Sequence, residues 1–334
     1  MSMHRRLGRS DIEIHPVVLG TFALGGWWWG PQDEQDAKEA IQASIDSGAC
    51  AIDTAPVYGF GHAETLIGET LQGQRSRVQI CTKLGLRWDG EGRFFFPAKH
   101  QGNSLKVCHD LRPETVRTEC EASLQRLQTD YIDLYQVHWP DPETPISDTM
   151  GALLRLKEEG KIRAIGVSNY TVDQMTEAQA ALGDVPLAST QPRYSLLHRK
   201  TERSLLPFCR EKSVGMIGYR PLEQGLLTGK VGPDRSFTAG DERATQSIFS
   251  VDNRIAIQAA LESLSELAAD KGASLSQLSV AWVLHQPGVT GAICGARNPD
   301  QARVNAASAE IALRPEDCER IAAAFEGLPL RTKR

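Results

Sequence analysis

Residues 36–58 read Asp36-Ala-Lys-Glu-Ala-Ile-Gln-Ala-Ser-Ile-Asp-Ser47-Gly48-Ala-Cys-Ala51-Ile52-Asp53-Thr-Ala-Pro-Val-Tyr58. Over this stretch the hydrophobic period changes. Ala37, Ala40, Ile41 and Ile45 recur at helical spacing across 36–47, Gly48 supplies a C-terminal stop, and Ala51–Asp53 is a short apolar run ending on a carboxylate. Helix, glycine stop and buried strand form one unit, and the unit recurs along the chain. Outward from it, Val17 to Leu19, Val78 to Thr82, Ile132 to Val137, Ile162 to Val167, Leu187 to Thr190, Val214 to Gly218 and Val289 to Cys294 read as further short strands. Pro113 to Leu127 reads as a helix, with Pro113 in its first turn and Val116, Cys120, Leu124 and Leu127 on one face. Eight strands, each followed by a helix, predict an α/β (β/α)8 TIM barrel. A doubly wound sheet would want Gly-x-Gly-x-x-Gly after its first strand, and the sequence has none there.

Residues 4–16, with Gly8-Arg9-Ser10-Asp11 at the centre, predict an N-terminal β-hairpin across one end of the barrel. Two long connections, Gly85 to Arg112 and Arg220 to Val251, follow the third and seventh strands. Both are therefore expected at the C-terminal face, where barrel active sites form. No linker interrupts the pattern, so residues 1–334 are expected to be a single domain.

Composition narrows the function classes. With 334 residues, 41% hydrophobic and 24% charged, the chain is an ordinary globular one with a sizeable core. A net charge of -5 without a Lys/Arg cluster argues against nucleic acid as a partner. No apolar run approaches the roughly 20 residues that span a bilayer, so no membrane association is expected. Arg5, Arg6 and Arg9 are not followed by an apolar stretch, so no secretory signal is expected and the location is expected to be cytoplasmic. Seven scattered cysteines without a Cys-x-x-Cys pair read as reduced thiols, and the eight histidines show no ligand spacing, so no metal is expected. The oligomeric state stays open.

In a barrel the strand ends converge on one mouth, so polar residues there need an explanation. The second strand runs into Asp53 and Tyr58, the third into Lys83, and the fourth into His138-Trp139. Taken singly, each has a bland reading: a surface charge, a core tyrosine, a structural histidine. Together they suit carbonyl reduction. A phenol with a pKa near 10 needs about 4 kcal/mol of differential stabilisation to reach 7, and an ammonium in a dry pocket supplies much of that. Lys83 would be the cation, Asp53 its partner, Tyr58 the proton donor to the carbonyl oxygen, and His138 a hydrogen-bond donor positioning that oxygen.

These motifs resemble the aldo-keto reductases over nearly the whole chain: Asp53-Thr54-Ala55 with Tyr58-Gly59, Thr82-Lys83, the segment from Leu124 through Asp130-Tyr131-Ile132-Asp133 to His138, and Gly160 through Ser168-Asn169. The resemblance is nearest to bacterial NADPH-dependent members with a Gly-Gly-Trp segment, here Gly25-Gly26-Trp27. It implies NADPH/NADP+ as cofactor and a small carbonyl or alcohol as substrate. Ser168, Asn169 and Gln191 would bond the nicotinamide carboxamide, Tyr219 would stack on its ring, and Gly20 and Thr21 would lie near the ribose beside Asp53. The loop Arg220, Pro221, Leu222, Gln224, Gly225, Leu227, Gly229 and Lys230 would close over the pyrophosphate. Gly295, Ala296 and Arg297 would receive the 2′-phosphate at a helix N-terminus, with Gln301 and Asn305 at the adenine. Trp28, Trp29 and Trp139 would wall the substrate pocket. The Gly85 to Arg112 connection, with Trp88 and Phe94 to Phe96, is longer than the family leads one to expect, and reads as a lid or a subunit contact. Two other functions compete. A nucleotide-binding regulatory or interaction subunit on the same scaffold would carry further N-terminal segments, as the related potassium-channel β subunits do. A hydrolase using Asp53 and Glu64 would leave Tyr58, Lys83 and Arg297 without roles.

Overall fold

The computed structural model describes residues 3–26, 32–89, 91–100, 102–238 and 241–331. Its strands, in chain order, are β1 (Arg5–Arg6), β2 (Glu13–Ile14), β3 (Val17–Gly20), β4 (Ala51–Asp53), β5 (Gln79–Leu84), β6 (Leu86–Arg87), β7 (Arg93–His100), β8 (Asn103–His109), β9 (Ile132–Val137), β10 (Ile162–Ser168), β11 (Leu187–Gln191), β12 (Gly215–Tyr219) and β13 (Val289–Gly295). Eight of them close a parallel barrel in the order β3-β4-β5-β9-β10-β11-β12-β13. All eight strands foreseen from the sequence are barrel strands, and the architecture is a (β/α)8 TIM barrel.

Period-two alternation divides each strand between two environments. The inward residues Val18, Ala51, Cys81, Leu134, Ala164, Ala188, Ile217 and Ile293 form a central apolar cluster, while Ile52, Ile80, Tyr135 and Val137 pack outward with the helices. The N-terminal hairpin pairs Arg5 with Ile14 and Arg6 with Glu13, and its Leu7, Ile12 and Ile14 join the central cluster. It therefore plugs the end of the barrel opposite the strand C-termini. Each such side chain, fully buried, contributes roughly 1.5–3 kcal/mol.

Several boundaries differ from the expected ones, two of them for identifiable reasons. The first helix spans Glu34–Asp46 and begins early because Asp33 caps it, accepting from the Asp36 amide at 2.9 Å. β5 runs beyond Thr82 because Lys83 and Leu84 still pair with Gln136 and Val137 of β9. Lys83 is thereby fixed in the ladder rather than left in a loop.

The Gly85 to Arg112 connection is not irregular. It contains a three-stranded antiparallel sheet, β6-β8-β7. Pro97 breaks any strand pattern in the sequence, and it is tolerated because β7 lies at the sheet edge. Leu86, Ala98 and Val107 pack on Ala55 and Val57, with Tyr58 and Trp139 partly buried against them. The sheet thus rests on the segment that carries Tyr58. Where the chain leaves the barrel for this sheet, Gly85 has φ +90, and a Cβ there would lie 2.4 Å from Leu111 Cδ2. The Gly85 amide donates to Glu119 Oε2 at 2.7 Å. The Arg220 to Val251 connection carries short 3-10 turns, braced where Arg254 Nη1 donates to the carbonyls of Gly232 and Arg235 at 2.8 and 2.7 Å. Among the described residues no helix is long and apolar enough to cross a membrane.

Burial pushes the Glu119 carboxyl up to about 8, against which the Gly85 amide and Arg87 pull it down. A carboxyl in an unfolded chain titrates near 4.3, so between these values the folded state holds a proton that the unfolded state has lost. The stability this contributes is complete below pH 4 and declines as pH rises through 8. Glu119→Gln, which keeps the acceptor for Gly85, is expected to flatten that decline, measured as the melting temperature between pH 5 and 8.5.

Candidate active site

β4 and β5 are register neighbours, with Asp53 beside Cys81, and the twist of the barrel brings the Asp53 and Lys83 side chains together at its C-terminal end. Lys83 is fully buried, and its ammonium has three partners: Asp53 Oδ1 at 2.6 Å, the Thr54 carbonyl at 2.9 Å and the Tyr58 hydroxyl oxygen at 3.3 Å. The other Asp53 oxygen accepts from Gln191 Nε2 at 2.7 Å. Thr21 clamps the Asp53 backbone, its amide and hydroxyl both 3.0 Å from the Asp53 carbonyl. Burial alone would lower the Lys83 pKa, but Asp53 and Tyr58 outweigh it and raise it. The ammonium stays charged.

Tyr58 is held from several directions. Phe22 meets its ring edge-on at 5.1 Å, and the His138 ring lies 5.9 Å away at 79°. Gly25 and Gly59 touch backbone to backbone: a Cβ on Gly59, where φ is +63, would lie 2.3 Å from the Gly25 carbonyl oxygen, and one on Gly25 would lie 2.8 Å from the Gly59 nitrogen. The phenol's acidity is not what the residue types alone suggest. Burial raises its pKa, and Lys83 offsets this only in part. Tyr58 is therefore a neutral phenol at physiological pH. Because its oxygen accepts from Lys83, its own proton is directed elsewhere. His138 is neutral too, its pKa driven well below the usual imidazole range by burial and then by the Lys83 charge. The His138 backbone ties the mouth together, its amide donating to Leu84 and its carbonyl accepting from Asn169 Nδ2, both at 3.0 Å.

The four expected catalytic residues are therefore brought to one place. Beside them, Gly20 lies between Asp53 and Gly295 in the ladder. Ser168, Asn169, Gln191 and Tyr219 converge as well: Ser168 Oγ donates to the Gln191 carbonyl at 2.7 Å, and the Tyr219 hydroxyl to Asn169 Oδ1 at 3.0 Å. In the following loop, Glu223, Gln224 and Gly225 take successive positive φ values of 45, 55 and 101°. The Gly225 amide there bonds the Leu222 carbonyl, and the Lys230 amide bonds Thr228 Oγ1. Leu227 is buried beneath the loop, and Gly229 has φ +73. After β13, Ala296 is buried and Arg297 precedes the helix Pro299–Ala306, which Asn298 caps. Gln301 and Asn305 bond their own segment, to the Arg297 amide and the Gly295 carbonyl, each at 3.0 Å. Trp28 and Trp29 lie outside the described residues. Trp139 contacts Phe95 of β7 at 5.6 Å.

Several partners escape a reading of the sequence. Gln136, fully buried two residues before His138, accepts from Ser189 Oγ at 3.3 Å and from Gln191 Nε2 at 3.5 Å. Its place on the inward face follows from alternation and was open to detection. Gln32, which accepts from Arg297 Nε at 2.7 Å, and Arg243, which pairs with Asp241 at 2.6 Å, sit in loops where no periodicity marks them. Glu64 is engaged outside the mouth. It binds Arg126 at 2.7 Å and the outward Thr82 hydroxyl at 2.6 Å, so it forms no carboxylate pair with Asp53.

Comparison with known proteins agrees with this geometry. Aldo-keto reductase YhdN of Bacillus subtilis is 39% identical over 295 residues, covering 87% of this chain and 84% of the relative. The NADH-specific methylglyoxal reductase of Escherichia coli is 38% identical over 317 residues, covering 93% and 94%. The solved structure of the glycerol dehydrogenase AKR11B4 from Gluconobacter oxydans superposes with a TM-score of 0.86 at 36% identity, covering 99% of this chain and 97% of that one. Residues 16–326 match the aldo/keto reductase family, and the chain belongs to that family of nicotinamide-dependent oxidoreductases.

Proposed function

We propose that this protein reduces small aldehydes or ketones to alcohols with NADPH, Tyr58 supplying the proton. The observation that carries this reading is the Lys83 ammonium, bonded at once to Asp53 at 2.6 Å and to the Tyr58 oxygen at 3.3 Å. A bound nicotinamide would supply the hydride for the carbonyl carbon. As negative charge gathers on the carbonyl oxygen, Tyr58 gives up its proton to it, and the resulting phenolate is stabilised by Lys83. Asp53 keeps that lysine charged and accepts from Gln191, which would hold the cofactor's carboxamide. His138, neutral, donates a hydrogen bond to the same oxygen. The raised pKa of Tyr58 suits this direction, since a proton donor must hold its proton until the transition state.

The site residues fit a nicotinamide dinucleotide. Tyr219 offers an aromatic face, Asn169 bonds its hydroxyl and Ser168, and Arg297 stands at a capped helix N-terminus. NADPH rather than NADH rests on Arg297, whose Nε is fixed by Gln32, with Asp241 and Arg243 nearby. The name of the Escherichia coli relative points to NADH for that protein, which makes the preference a direct test. We further read residues 1–334 as one cytoplasmic domain acting on small molecules.

Tyr58→Phe is expected to lower kcat for carbonyl reduction about a thousandfold while shifting the NADPH dissociation constant less than threefold. Turnover within tenfold of the parent would remove Tyr58 from the mechanism. For the cofactor, kcat/KM is expected to favour NADPH over NADH at least tenfold, and Arg297→Ala to abolish most of that preference through the KM for NADPH. A parent enzyme that prefers NADH would overturn the assignment.

A further inference from the structure

β7 does not run straight beside β8. Phe94 pairs with Cys108 and Phe96 with Val107, so Phe95 is the extra residue of a β-bulge. Neighbouring side chains of a regular strand point to opposite faces. Here the rings of Phe95 and Phe96 meet at 5.1 Å and 63°, which places both on one face. That face is turned to the barrel, since Phe96 packs with Ala98 and Val107 against Ala55 and Val57, in the segment between β4 and Tyr58. Phe94 takes the other face with Cys108, which alternates with Val107 along β8.

The bulge delivers the Phe95 ring to two more rings, His109 at 4.3 Å and Trp139 at 5.6 Å. Trp139 directly follows His138, whose ring lies 5.9 Å from that of Tyr58. A continuous run of bonded and touching groups thus leads from the catalytic residues to Phe95. Although it faces inward, Phe95 is 37% exposed, so it borders open space instead of filling a core. His109, against which it stacks, is buried; burial lowers its pKa, and the ring is uncharged at physiological pH. Phe95, His109 and Trp139 therefore offer no charge, and their complement is an apolar group. A bulge gives up regular ladder pairing, and beside an active site it re-aims a side chain. In the reading given under Proposed function, on which this inference rests, Tyr58 and His138 hold the carbonyl oxygen of the substrate. We infer that Phe95 determines specificity: with Trp139 it forms the wall against which the substituent beyond the carbonyl lies. Carbonyls carrying an apolar group the size of an aromatic ring are then preferred to the shortest aliphatic ones.

The test pairs 3-phenylpropanal with propanal, which share the carbonyl and differ only in the ring, at saturating NADPH. The parent enzyme is expected to favour 3-phenylpropanal by about tenfold or more in kcat/KM. Phe95→Ala is expected to reduce that ratio about tenfold through the KM for the aryl substrate, and Phe95→Leu, which keeps an apolar side chain, about threefold. Phe94→Ala, which removes the neighbouring ring on the opposite face, is expected to leave the ratio unchanged. Equal losses for both substrates in Phe95→Ala, an equal shift in Phe94→Ala, or no aryl preference in the parent would each overturn the inference. Calorimetric titration of 3-phenylpropan-1-ol into NADP+-loaded protein separates it from the catalytic reading. Binding weakened about tenfold in Phe95→Ala but not in Phe94→Ala, without turnover in the parent, would uphold the wall and defeat the proposed reaction. Equal binding in the parent and Phe95→Ala would defeat the wall.

Discussion

The contact between Lys83 and Asp53 governs the rest of the mouth. Both groups are removed from water, and the effective penalty for burying each ion is several kcal/mol. That cost is met only if every donor and acceptor finds a partner. The structure meets it with three acceptors for the ammonium and with Gln191 on the second carboxylate oxygen. Any displacement of β4 relative to β5 would leave a charge uncompensated, so the register of these two strands and the placement of Tyr58 are held by one requirement.

The requirement explains why the barrel interior is divided along its axis. Towards the hairpin it is apolar and sealed by Leu7, Ile12 and Ile14; towards the strand ends it becomes polar through Gln136, Ser189 and Gln191. A low-dielectric floor strengthens the electrostatics of the layer above it. The histidine benefits from the same arrangement: next to a retained ammonium and away from water it cannot take a second proton, which leaves it a neutral donor.

The barrel was legible because a buried parallel strand must be apolar throughout and must alternate with helices; Ile132–Val137 and Ala51–Asp53 coincide with their expected bounds. The positions of Asp53, Tyr58, Lys83 and His138 were legible for a related reason, since strand ends converge wherever the strands close on themselves. Other features were not. The sheet β6-β8-β7 hides behind Pro97 and scattered polar residues, which cut the run Phe94–Phe96 short of a strand pattern. Residue types alone do not give the ionisation of Tyr58: they reveal the cation that lowers a phenol's pKa, but not the burial that raises it. Loop partners such as Gln32 and Arg243 depend on contacts far apart in sequence, for which one chain offers no pattern.

The backbone contact of Gly25 with Gly59 has a consequence for anyone wishing to reshape the pocket. Two peptide planes that touch leave no side chain between them to trim or enlarge, so neither position offers a graded series of substitutions. The chain before residue 27 and the turn after Tyr58 behave as a welded joint. Variation in this mouth has to be sought around that joint, in the side chains that line it, because the joint itself admits only one residue type on either side.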